Sequence, residues 1–219
     1  MTREQQRKVR EADTALKKEI RLACKRHKYK TVTGYAYKVV DGYLYTLLIS
    51  VPPIGLGERL RTILWCKPLA MDEMFWEVFD MKEIAEKQPF SFHLTAAFTP
   101  YDLTLEDWDS PLESIEKMPE VLDGIFEKGE KMINTYVQEF QDIEDYKQYF
   151  VRMENNCFPL NIILCDIVKG EYQAALDRVN EEIAAGKSGG FASISGGDIF
   201  SYAKRYCEEK LEAAVSSRC

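Results

Sequence analysis

Only two histidines, His27 and His93, occur in 219 residues, and none of the six cysteines forms a Cys-x-x-Cys pair. Zinc sites are built from such ligands at short, recurring spacings, so no metal is expected, and no other cofactor. Cys24, Cys66, Cys157, Cys165, Cys207 and Cys219 are scattered, most among apolar neighbours, and read as reduced thiols acting as small hydrophobes. His93 falls in an expected strand with no identifiable partner to make it a base, so no catalytic residue is assigned.

Long apolar runs are also missing. No window approaches the roughly 18 apolar residues of a membrane span, and Met1-Thr2-Arg3-Glu4-Gln5-Gln6-Arg7 lacks the apolar stretch of a signal peptide. The expectation is a soluble cytoplasmic protein with no membrane partner. Basic residues are outnumbered, 29 against 36, and the formal charge of −7 disfavours a general nucleic-acid binder.

Two motifs fail for want of a glycine. Gly186-Lys187-Ser188-Gly189-Gly190 is similar to the end of a phosphate-binding loop, but Glu181 stands where the first glycine belongs, and the preceding segment reads as helix. Asp102, Glu106, Asp107, Asp109 and Glu113 supply oxygen ligands for calcium, but an EF-hand needs glycine at the sixth loop position, here Asp107.

The periodicities that are present define a fold. Val9, Ala12, Leu16, Ile20 and Ala23 mark one stripe of an N-terminal helix. Residues 32–39 and 43–49 are β-branched and aromatic, and Asp41-Gly42 between them suits a type I′ hairpin. A third strand follows over 60–65, then a helix through Met71, Phe75, Trp76 and Val78, and a fourth strand over 92–97. Residues 101–115 read as an acidic connection. Four or more helices follow, with Asp142, Pro159, Gly170 and Gly186 as start or stop signals. The class is α+β: an antiparallel meander of about four strands with an N-terminal helix, then an all-helical half. The expected subdomains are 1–110 and 111–219, packed as one unit.

Charge is unevenly placed. Residues 1–30 carry eleven Lys or Arg against four Asp or Glu, whereas residues 100–154 carry five against fifteen. Tyr101, Asp102, Glu106, Asp107, Trp108 and Asp109 would present aromatic anchors ringed by negative charge, and are the candidate contact residues for a basic protein partner.

The order of helix, meander, Lys67-Pro68 and Trp-bearing helix carries Gly34-Tyr35-Ala36-Tyr37, Leu44 to Ile49 and Lys67 to Trp76. Over residues 1–100 it resembles small bacterial proteins grouped with the immunity proteins of polymorphic toxin systems. That resemblance implies stoichiometric binding that blocks a toxin enzyme, with the segment from Asp102 to Glu130 as the contact surface. The alternative is an enzyme or small-ligand protein with a pocket between sheet and helices.

Overall fold

The computed structural model describes residues 1–32, 34–53, 57–87, 89–94, 99–152, 158–192 and 197–216, leaving aside the side chains of 84 and 85. The chain begins with α1 (Arg3–Arg26), β1 (Lys30–Val32), β2 (Tyr35–Val40), β3 (Tyr43–Ser50), β4 (Arg59–Pro68), α2 (Leu69–Val78) and α3 (Lys82–Ala85). A 3-10 turn (Phe90–Leu94), β5 (Leu103–Pro111) and a second 3-10 turn (Ile115–Lys117) follow. The helices α4 (Met118–Glu139), α5 (Ile143–Arg152), α6 (Pro159–Lys169), α7 (Tyr172–Ala184) and α8 (Ile199–Ser216) complete the α+β fold.

The strands form one antiparallel sheet in the order β1-β2-β3-β4-β5. Asp41 and Gly42 hold φ at 49° and 80°, the left-handed pair that closes the β2–β3 hairpin. Two expectations are corrected. Residues 90–94 form a 3-10 turn instead of beginning a fourth strand, and 95–97 lie outside the described residues. The edge beyond β4 is made by β5, inside the stretch read as an acidic connection. Its alternation is hidden by a register shift opposite Leu64 and Trp65: Leu103 and Leu105 are buried, but after the shift the even-numbered residues pair with the buried Thr62 and Leu64. A bulge of this kind moves the inward phase by one residue.

The chain divides into two compact units, one of residues 1–67 and 102–139, the other of 68–101 and 140–219. The division is therefore discontinuous in sequence. In the sheet unit, α1 packs on α4, burying Ala12, Leu16, Ile20, Ala23 and Cys24. The basic end of α1 meets the acidic start of α4: Arg26 Nη2 donates to Asp123 at 2.7 Å, and His27 Nε2 lies 2.8 Å from the same carboxylate. Phe126 packs between His27 and Tyr29, and Glu130 accepts from the Tyr29 hydroxyl and pairs with Lys38.

In the helical unit α6 is the centre, packed by α2, α5 and α7, with α8 on α7 and α2. Its sequence is apolar nearly all round and Leu160 through Ile167 are buried, as a central helix requires. Asp142 caps α5 by accepting from the amides of Glu144 and Asp145, and Gly170, at φ 78°, ends α6.

Asp166, buried within α6, is bonded by Lys147 at 2.6 Å. Lys147 also reaches Glu144 at 3.2 Å, and Lys169 joins Glu144 and Glu171, each at 2.7 Å. Removing one partner of a buried pair leaves the other charge without compensation, at about 3 kcal/mol or more. Lys147→Met should therefore lower the unfolding free energy at pH 7 by that amount, read as a fall in the urea midpoint with an unchanged denaturant slope.

Hydrogen bonds from Lys169, Gln148 and Lys147 lower the Glu144 pKa from 4.5 to about 2, against the opposing effect of burial. A carboxyl depressed in the folded state stabilises fully above its unfolded pKa, and that contribution fades as pH falls toward 2. Between pH 5 and pH 2 the wild-type chain should lose stability more steeply than Glu144→Gln, as read by thermal melts across that range.

Candidate functional site

The register shift sorts the β5 side chains by face. Trp108 pairs across from Thr62 and lies under the Lys128 ammonium of α4, 4.7 Å from the ring centroid. Glu106, on the same face, accepts from the Tyr136 hydroxyl at 3.4 Å. Asp107 and Asp109 lie on the opposite face, where Arg61 bonds Asp107 through Nε at 3.0 Å and Arg59 bonds Asp109 at 2.8 Å. The Arg61 hydrogen bond holds the Asp107 carboxyl below its usual range. Asp102 lies 3.5 Å from the buried Lys67 ammonium.

The candidate carboxylates thus lie on one edge strand or, for Asp102, immediately before it, but cations of the same sheet already engage three of them. Tyr101 stands apart, in the helical unit, where its half-exposed ring packs against Phe158 at 5.4 Å. The sequence showed the acids and not their partners, because Arg59 and Arg61 lie some 46 to 50 residues away and meet them only through the β4–β5 register.

The partner missing from the sequence reading of His93 is Asp72. His93 Nδ1 is 2.7 Å from Asp72 Oδ2, and Asp72, on α2, is fully buried. The imidazole is packed by Trp76 at 4.8 Å and Phe90 at 4.7 Å, and only 16% of its side chain is exposed. A buried carboxylate on one ring nitrogen fixes the orientation of the imidazole, which is the relation found in general-base pairs. Beside it, Glu73, Trp76, Glu77, Lys82 and Glu86 line a cleft of about 360 Å³. Glu77 is engaged by the Tyr206 hydroxyl at 2.8 Å, whereas Glu73 and Glu86 have no ion pair among the described residues.

The glycine-rich segment forms a second cleft, of about 450 Å³, lined by Tyr101, Phe158, Leu160, Phe200 and residues 186–190. It follows a helix, α7, whose end it closes: the amides of Gly186 and Lys187 donate to the carbonyls of Ile183 and Glu182. Lys187 is paired with Glu182 at 2.8 Å. These are the features of a helix C-terminus and not of a strand-to-helix phosphate loop.

Among the described residues no group of three His, Cys, Asp or Glu side chains is placed to hold a metal. Cys24, Cys66, Cys165 and Cys207 are buried free thiols, and burial raises the pKa of each. Among the described residues no helix is long and apolar enough to cross a membrane. No protein family, curated protein or solved structure was found to match this chain.

Gly189 adopts φ 74°, and a Cβ there would lie 2.4 Å from Ile199 Cγ2, at the start of α8. The left-handed backbone alone costs a non-glycine residue about 1–2 kcal/mol, and Ile199 must also move. Gly189→Ala should lower the melting temperature by several degrees, whereas Ser188→Ala should stay within about 0.5 kcal/mol of wild type.

Proposed function

We propose that this chain is a non-enzymatic interaction protein that binds a basic protein partner, in the manner of an immunity-type inhibitor. The observation that supports the reading is where the net charge resides. The sheet unit holds 18 Lys or Arg against 17 Asp or Glu, and the helical unit 11 against 19, so the total of −7 divides into +1 and −8. A concentrated field of one sign steers an oppositely charged partner and raises its association rate.

Two surfaces serve that role. On the helical unit, Glu73 and Glu86 flank the Trp76 cleft. On the sheet unit, Asp102 precedes and Glu106, Asp107 and Asp109 lie along β5, an edge strand whose outer backbone has no partner strand among those described. There a basic partner would have to exchange with Arg59, Arg61 and Lys67, so the net gain in affinity is small and the contribution is to orientation.

A second reading, an enzyme or small-ligand protein, is favoured by the His93–Asp72 pair. One set of measurements separates the two. The tagged chain is used to capture partners from lysate at about 0.05 and 0.5 M NaCl, a range over which surface attraction is screened, and any captured protein is re-purified and titrated back. A basic protein that forms a one-to-one complex, with association about tenfold slower at high salt, supports the first reading. Lys substitutions at Glu73 and Glu86, or at Asp102, Glu106 and Asp109, then show which surface carries it. No partner in either condition, together with a metabolite that raises the melting temperature of wild type but not of His93→Gln, replaces it with the second.

A further inference from the structure

The outward side of α1 carries one sign of charge along nearly its whole length. At 100° per residue, an arc of about 80° holds seven positions, occupied by Arg3, Arg7, Arg10, Thr14, Lys18, Arg21 and Lys25. Six of the seven are cations and none is an acid. The arc lies opposite the buried stripe of Ala12, Leu16, Ile20 and Ala23 and spans about 33 Å along the axis.

Solvation alone does not require this. A surface helix that only needs water contact usually mixes signs and pairs them at i,i+4, as α8 does with Lys204–Glu208 and Arg205–Glu209. On α1 Glu11 borders the arc, and Glu4, Asp13 and Glu19 lie further round the helix. Glu11 and Glu19 reach Arg7 and Lys18 only at 3.7 and 3.8 Å, and Asp13 binds Lys17, just outside the arc. Arg3, Arg10, Arg21 and Lys25 have no ion pair among the described residues. Arg3, Arg7, Arg10, Thr14 and Lys18 border one open stretch of this surface, together with Gln6, Glu11 and Ala15.

We propose that the α1 ridge is a docking surface for an acidic polypeptide segment lying along the helix. Charge complementarity selects the sign. Carboxylates at helical or extended spacing meet cations that recur every three or four residues, and arginine binds carboxylates in bidentate fashion. A nucleic acid fits less well, because the arc contains no aromatic side chain to stack on a base. A lipid surface fits less well still, because no large apolar side chain lies within the arc. This surface is independent of the basic-partner reading and would give the chain a second face of opposite sign.

The test uses the full-length chain and a labelled peptide of about 20 residues, alternating Glu and Ala, with binding followed by fluorescence anisotropy at about 0.05 M NaCl. A single-stranded oligonucleotide of equal charge and vesicles containing anionic lipid serve as comparison probes. The expected result is that the peptide binds at least about tenfold more tightly than the oligonucleotide, and that Arg3→Glu/Arg10→Glu/Arg21→Glu weakens it about thirtyfold. Lys204→Glu, on α8, should change it less than about twofold. Circular dichroism and the melting temperature show whether each variant is folded, and the milder triple change to Gln replaces the Glu variant if that one is not. The proposal is overturned if the peptide does not bind, if the folded triple variant binds as wild type does, or if the oligonucleotide or the vesicles bind more tightly than the peptide.

Discussion

The sheet unit depends on how closely α4 approaches β3. Gly129 makes that approach possible: a Cβ at this position would sit 3.1 and 3.3 Å from the two methyl carbons of Leu47, tighter than ordinary van der Waals contact. With the helix seated at that distance, each turn of α4 holds a different neighbour. Asp123 fixes the end of α1 through Arg26 and His27, Phe126 and Glu130 hold Tyr29 and Lys38 at the β1–β2 side, and Lys128 and Tyr136 reach β5. A larger residue at 129 would require the Leu47 side chain to give by a few tenths of an ångström, and any displacement that it did not absorb would pass to these contacts, because packed interiors transmit it.

The orientation of α1 follows from the same contacts. Ala12, Leu16, Ile20 and Ala23 turn inward where α1 packs on α4, and the ion pair of Arg26 with Asp123 joins the two helices at their ends. The cations between Arg3 and Lys25 are left on the far side. Arg7, Lys17 and Lys18 keep 69%, 75% and 79% of their side-chain surface exposed, too much for their positive charge to be assigned to the packing of this helix. Exposed pairs of this kind contribute little to stability, so the segregation of sign on α1 calls for an account other than folding.

Much of this architecture was legible from local chemistry. The Asp41-Gly42 turn, the Asp142 cap, Pro159 at the start of α6 and Gly170 after its end act over a few residues, and each is found where such residues impose it. What escaped was non-local. The alternation of β5 breaks at a bulge that only the β4 register reveals, and strands rarely carry as many acids as Glu106-Asp107-Trp108-Asp109 unless cations stand across from them. Asp72 and His93 are 21 residues apart with no spacing rule to join them. The candidate carboxylates were identifiable, but their pairing with Arg59, Arg61 and Lys67 was not, since it depends on a fold assembled from distant segments.

That pairing changes what the acidic stretch can do. A carboxylate already bonded to a guanidinium presents a dipole to an incoming protein and not a free charge, so its long-range field is short and its main effect is on the geometry of contact. Free charge of either sign lies elsewhere, on α1 and in the helical unit with its balance of −8. Such segregation has a cost in self-repulsion within each cluster, which a chain needing solubility alone would avoid by interspersing the signs. The −7 total is therefore a poor guide to recognition by this protein. It is the sum of a nearly neutral sheet unit, whose cations gather on the exposed side of α1, and a helical unit of −8.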